Sequence, residues 1–203
     1  MPEGPRGLEA ARIALLGPAL PEILNAAAVA GAGFLFYRAF EAQQALDLVL
    51  EAVAALDRTG TIPDPRLLRV GADCAHRLGS TNVEDRLLER GLQIANTDPR
   101  ARAMLLVASA LRLQRGGEID RAEQLLNEAT ATFASLGDVR QRAAAMSNIA
   151  DILRARGQFD DAINICREDL LPAFERLGDV RARHNDGQNC RHPAGPRPVR
   201  RGP

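Results

Sequence analysis

The chain of 203 residues is long enough to bury a sizeable hydrophobic core, and its 26 acidic residues balance its 26 basic ones. Without net charge it carries no overall field that would favour a nucleic acid or an anionic membrane as partner. All 26 basic residues are arginines, which excludes the phosphate-binding, Schiff-base and general-base chemistry that needs a lysine.

The cysteine content favours a reducing compartment. Cys74, Cys166 and Cys190 show no paired spacing, and we find no signal peptide. Cys166 falls on an inward helical stripe, so we interpret it as a small buried apolar residue. Together with the arginine-, alanine- and glycine-rich composition, which indicates a GC-rich bacterial genome, this predicts a bacterial cytoplasmic protein.

The N-terminal part predicts a loose segment followed by a buried helix. Residues 1–20 have the composition of a loose terminus with a short helix. The apolar run at residues 23–40 is uncharged for about 15 residues, which is short of the roughly 20 needed to span a bilayer. We therefore expect a buried helix there, with a partner helix over residues 40–56.

The middle of the chain carries repeated helix-start signals. Asp64 and Asp98 are each followed by proline, a typical N-cap and first helical residue. The first predicts a helix that runs to residue 78 and ends at Gly79, and the stretch Thr81-Asn82-Val83-Glu84 resembles a capping box that opens a helix to residue 95. Two more helices are predicted over residues 100–115 and 119–136.

The last two predicted helices form the clearest unit. Asp138 is a good N-cap for residues 139–156, and Gly157 ends that helix before a second one at residues 159–177. Pro172 lies inside the second helix, where its ring removes a hydrogen bond, so we expect a kink or break near residue 171.

This unit is repeated. The sequence L-G-D-V-R at residues 136–140 returns 41 residues later at 177–181. A tandem period of this size is typical of a repeat array, in which each helical hairpin needs its neighbours to bury its apolar face.

The pattern of small and large residues resembles the tetratricopeptide repeat (TPR). Small residues stand where the two helices of a hairpin approach closely, with bulky residues beside them. The positions are Ala110, Leu113, Ile119 and Ala122, matched forty residues later by Ala150, Leu153, Phe159 and Ala162. The family unit has about 34 residues, so this chain resembles a longer bacterial type. The same phase places Gly33, Phe36 and Ala45 in an earlier unit, and Ala75 and Leu78 in the most divergent one.

The resemblance implies an all-α, right-handed α-solenoid of about four antiparallel hairpins over residues 21–183. It also implies a protein–protein interaction module that holds a peptide or partner helix in a concave groove lined by the first helices. The groove positions carried over are Phe34, Tyr37, Arg38, Asp73, His76, Val107, Leu111, Gln114, Arg115, Ser147, Asn148, Asp151 and Arg154. Asn148 stands where peptide-binding members use Asn, whereas Ala144 replaces a basic residue of the carboxylate clamp. The alternative is a sensor arm of a bacterial signalling ATPase, peptidase or transcription regulator.

The tail at residues 184–203 lacks the helical spacing of apolar residues seen in the repeats. It is rich in proline and arginine, which predicts disorder. Codons that encode the tail from Arg183 onward can be chosen so that a frame shifted by one nucleotide reads G-T-M-T-G-K-I-A-D-I-L-Q-A-R-G-Q-F-D-E-A. This shifted reading closely matches residues 148–162, about 41 residues earlier. We therefore hypothesise that the tail is the next repeat read out of frame. A repeat array that ends without a capping repeat would leave an apolar end that could drive self-association.

No constellation of catalytic or metal-binding residues appears. His76 is the lone histidine of the predicted helices, and the acidic pairs at residues 160–161 and 168–169 have no opposed partner that would raise a pKa. We expect no enzyme activity, no metal, no cofactor, and no nucleic acid or membrane as partner.

Overall fold

A computed structural model describes residues 42–178, and every regular element within that range is helical. The helices are α1 (Ala42–Arg58), α2 (Pro65–Arg77), α3 (Thr81–Ile94), α4 (Pro99–Arg115), α5 (Ile119–Ser135), α6 (Val139–Ala155), α7 (Phe159–Ile165) and α8 (Leu171–Arg176). A 3₁₀ turn at Ala95–Thr97 follows α3, and a π turn at Cys166–Leu170 joins α7 to α8. These bounds agree with the predicted helices to within two residues.

An aspartate caps the start of α2, α4 and α6, the helices that open each hairpin. Asp64 Oδ1 accepts a hydrogen bond from the Arg66 backbone N–H at 2.7 Å. Asp98 accepts one at 2.9 Å and Asp138 one at 3.1 Å, each from the N–H three residues later. These carboxylates satisfy amide groups that have no partner inside the helix.

Five helices end in the same glycine turn. At the end of α6, Gly157 has φ of 78°, and the Gln158 N–H donates to the Leu153 carbonyl at 2.9 Å. The left-handed backbone of this turn favours glycine because a Cβ would strain it. The turn glycines are Gly60, Gly79, Gly117, Gly137 and Gly157.

The chain divides into two compact units, the first running to Ser109 and the second beginning at Ala110. In the first unit, α1 packs against α2 and α2 against α3. Their shared core also includes Leu105 from α4. The largest fully buried side chains of this unit are Val49, Leu68, Cys74 and Leu105.

In the second unit, α5 packs against α6, and α6 packs against α7, the π turn and α8. Phe133, Leu126 and Ile152 are fully buried there. A further cluster near the π turn consists of Ala143, Cys166, Leu170 and Phe174, with half-buried Met146, Ile165 and Ala173 packed against it.

The interruption expected near Pro172 is present as the π turn. The Leu171 N–H donates to the Cys166 carbonyl, five residues back, instead of the carbonyl four residues back. Pro172 has no N–H to donate and follows immediately. The wider turn thus lies where proline would disrupt a regular α-helix.

The two cysteines in the described range, Cys74 and Cys166, are both buried in the core. Cys166 packs with Ala143, Leu170 and Phe174, so its sulfur lies on the inward side of the helix as the sequence predicts.

A bidentate ion pair links α1 to α3 in the first unit. Arg90 Nη1 donates to Asp57 Oδ2 at 2.8 Å, and Nη2 donates to Oδ1. These hydrogen bonds hold the pKa of Asp57 below its usual 3.8 and raise the pKa of Arg90. Both side chains are more than one-third exposed, so solvent screening limits their contribution.

We expect Asp57→Asn to lower the free energy of unfolding by about 0.5 kcal/mol or less at neutral pH, because the pair is exposed. Since the carboxyl pKa is lower in the folded state, the contribution is present above the unfolded-state pKa and is lost as pH falls through the folded-state pKa. Urea unfolding of both proteins at neutral pH and below the folded-state pKa checks this. A stability difference that persists in acid would show that the carboxylate charge is not its source.

Candidate functional site

Four of the predicted groove residues share one face of α6, the first helix of the last hairpin. We call this face the α6 stripe: Ser147, Asn148, Asp151 and Arg154. Their spacing of three and four residues places them together on a helix. The buried residues of α6 are Ala143, Ala145, Ile149, Ala150, Ile152 and Leu153. The stripe consists of half-buried and exposed positions, and exposed Ala144 lies beside it.

The α6 stripe presents hydrogen-bonding groups that are engaged only within α6. Asn148 Nδ2 donates to the Ala144 carbonyl at 3.1 Å. Arg154 Nη2 donates to Asp151 Oδ1, with the arginine side chain 32% and the aspartate side chain 50% exposed. An exposed pair of this kind contributes little to stability.

In the first unit, Asp73 and His76 lie on the outer face of α2. Asp73 accepts a hydrogen bond from Arg69 Nη1 at 2.5 Å, and the imidazole of His76 is 47% exposed. Most of the other residues of α2 are buried.

The alignment of α2 with the other repeats is wrong by three residues: Ala75 and Leu78 do not occupy the small and bulky core positions predicted for them. Leu78, predicted as a bulky core residue, is exposed because α2 ends at Arg77. Aligning the turn at Gly79 with that at Gly157 instead places Ala72 and Ala75 at the core positions, and both are buried. Asp73 and His76 stay on the outer face, but they then correspond to Asp151 and Arg154.

With this alignment, Glu84, which the sequence predicts as the last residue of a capping box, falls at a core position. Glu84 is 4% exposed and stands five residues after the turn glycine, where the later hairpins have buried Ala122 and Ala162. Its carboxylate lies 3.9 Å from His76 Nδ1. The predicted capping box at Thr81–Glu84 is also wrong, because Ser80 is the N-cap and makes no side-chain cap bond.

The remaining groove candidates lie in α4 or outside the described residues. Val107, Leu111 and Gln114 are half-buried, and Arg115 is exposed. Phe34, Tyr37 and Arg38 fall outside residues 42–178.

Neither a metal centre nor a membrane span occurs within residues 42–178. No cluster of three or more histidine, cysteine, aspartate or glutamate side chains in this range could hold a metal ion. No helix in the same range is both long and apolar enough to cross a bilayer.

Solved structures resemble this chain along most of its length. BtubC (BKLC) from P. vanneervenii superposes with a TM-score of 0.60 at 17% identity, covering 96% of this chain and 91% of its own. A kinesin light chain-like protein of Podosopora anserina with nearly identical TPR-like repeats gives a TM-score of 0.54 at 17% identity, covering 93% and 95%. A point variant of that protein gives 0.55 at 17% identity, covering 85% and 92%.

The chain has a TPR-like repeat fold. No protein-family model and no curated protein matches its sequence.

Proposed function

We propose that this TPR-like protein binds a peptide or a partner helix along the outer faces of its hairpin-opening helices. The α6 stripe carries the proposal. It combines an amide, a carboxylate, a guanidinium and a hydroxyl on one face of α6, beside the face that is buried in the core.

The α6 stripe can form hydrogen bonds with the backbone of a bound peptide. Asn148 can exchange its bond to the Ala144 carbonyl for a bond to a peptide carbonyl, while its amide oxygen accepts a peptide N–H. Asp151 and Arg154 can each pair with an opposite charge on the ligand. Exposed Ala144 leaves space for the ligand beside them.

Selection of short random peptides displayed on phage against the full-length chain tests this function. We expect the selected peptides to lose about tenfold in affinity or more with Asn148→Ala or Asp151→Arg. Asn164→Ala is the matched control, because Asn164 is exposed on α7 and away from the stripe. Fluorescence anisotropy of the labelled peptides measures each affinity.

The same titrations can contradict the proposal. If the stripe variants bind the peptides as well as the unmodified chain does, the ligand binds elsewhere. The same conclusion follows if Asn164→Ala weakens binding as much as they do. Circular dichroism of each variant shows whether a loss of binding reflects a loss of fold.

A further inference from the structure

Glu84 is the one charged residue that is buried among residues 42–178. The later hairpins have Ala122 and Ala162 at the equivalent position, and both are buried. Alanine fills this position without burying a polar group, whereas a carboxyl group loses its hydration when it is buried. The packing of a hairpin therefore does not require a carboxylate here. A costly departure from an otherwise consistent pattern is typical of a functional position.

The carboxylate of Glu84 lies close to the ring of His76. Glu84 Oε2 is 3.9 Å from His76 Nδ1, and the glutamate side chain is 6% exposed whereas the imidazole is 47% exposed. The pair thus extends from the interior, where α2 packs against α3, to the outer face of α2. The distance is longer than a direct hydrogen bond, but a buried carboxylate is poorly screened by water and acts strongly on the ring.

This contact favours one of the two neutral forms of the imidazole. A neutral ring carries its proton on either Nδ1 or Nε2. A proton on Nδ1 is attracted by the carboxylate, whereas a lone pair on Nδ1 is repelled by it. When the proton is on Nδ1, Nε2 keeps its lone pair and can only accept a hydrogen bond.

We propose that Glu84 is a positioning residue that holds His76 in the Nδ1–H form, so that Nε2 accepts a hydrogen bond from an N–H group of the bound peptide. This inference rests on the proposed function, because it requires a ligand on the outer face of α2. In the last hairpin the corresponding residue is Arg154, which can only donate. The outer faces of α2 and α6 therefore select opposite hydrogen-bonding groups on their ligand at this position.

Nuclear magnetic resonance of the full-length chain tests the position of the proton. Long-range ¹H–¹⁵N spectra at mildly alkaline pH, where imidazole rings are neutral, distinguish the two forms. The spectrum of His76→Gln identifies the signals of His76 among those of the three histidines. We expect the Nδ1–H form in the unmodified chain and a shift toward the Nε2–H form in Glu84→Ala. Circular dichroism should show an intact fold, since later hairpins have alanine at this position.

Glu89→Ala is the matched control, because it removes the same carboxylate from an exposed position of α3 and should leave the His76 spectrum unchanged. An Nε2–H form in the unmodified chain, or a proton position that Glu84→Ala does not change, would overturn the positioning role of Glu84.

The peptides selected on phage test the contact with the ligand. Their addition should shift the Nε2 signal of His76, and Glu84→Ala should weaken their binding about two- to tenfold, as the loss of one hydrogen bond does. Peptides with each lysine or arginine replaced by norleucine show whether a side chain or the backbone supplies the N–H. An unchanged Nε2 signal would rule out the contact. A selection without peptides would contradict the proposed function, and the contact with it, while the spectra would still decide whether Glu84 positions His76.

Discussion

Phe133→Ala should be among the most destabilising single substitutions in the second unit, lowering the free energy of unfolding by about 3–5 kcal/mol. The ring is fully buried in α5, the helix that packs against α6. Truncation removes its apolar contacts and leaves a cavity that surrounding helices fill only in part. Because small domains are stable by about 5–15 kcal/mol in total, this loss is a large fraction.

Leu136→Ala is the matched control, three residues later at the end of the same helix. Its side chain is 46% exposed, so we expect a change within about 0.5 kcal/mol. Urea unfolding followed by far-UV circular dichroism measures both variants. Equal losses at the two positions would mean that Phe133 does not lie in a close-packed core.

Gly91→Leu should destabilise the first unit by overpacking. A Cβ at Gly91 would approach Leu105 Cδ2 to 2.8 Å and Cδ1 to 3.0 Å, closer than carbon atoms pack. Overpacking of this kind costs about 1–3 kcal/mol, partly offset by the roughly 1 kcal/mol that replacing glycine contributes to a helix. Gln93→Leu, at an exposed position of α3, is the control and should leave stability nearly unchanged.

A double-mutant cycle separates this clash from other effects. Leu105→Ala alone should cost about 2–5 kcal/mol because it leaves a cavity. Combined with Gly91→Leu, the new leucine can fill that space, so the double variant should be more stable than the sum of the single losses by about 1–3 kcal/mol. Strict additivity of the thermal or urea unfolding data would show that the two residues do not share one packing site.

The helices and their turns could be predicted from the sequence because their signals are local. An aspartate N-cap such as Asp138 and a turn glycine such as Gly157 act within a few residues of the chain. The small and large residues between these signals predict which helices pair into hairpins, and the described helices have the predicted bounds.

The phase of the most divergent hairpin could not be predicted in the same way. Ala72 and Ala75 are both small, so composition alone did not decide which one stands at the close helix crossing, and the exposed Leu78 resolves the choice. The burial of Glu84 was not predicted, because core positions are found in the sequence by their apolar side chains and Glu84 carries a carboxylate. The ion pair between Arg142 and Asp169 could not be predicted either. The two residues are 27 positions apart in the sequence, and only the packing of their helices brings them together.

The candidate site depends even more on three-dimensional context. The sequence could place Asn148 and Asp151 on one helical face, because helix geometry fixes their spacing. It could not show that the Asn148 amide bonds to its own helix or that Arg154 pairs with Asp151. Such contacts depend on side-chain rotamers, which periodicity does not specify.

The π turn accounts for a one-residue difference between neighbouring repeats. Asp98 and Asp138 are 40 residues apart, as are the helix starts Ile119 and Phe159, yet the turn glycines Gly137 and Gly178 are 41 apart. The additional residue must therefore lie between Phe159 and Gly178, the stretch that contains the widened turn. An amino acid inserted into a helix would normally rotate everything beyond it by about 100°. Here the wide turn absorbs that rotation, and Phe174 still packs in the core, so the additional residue does not change which face of the helix is buried.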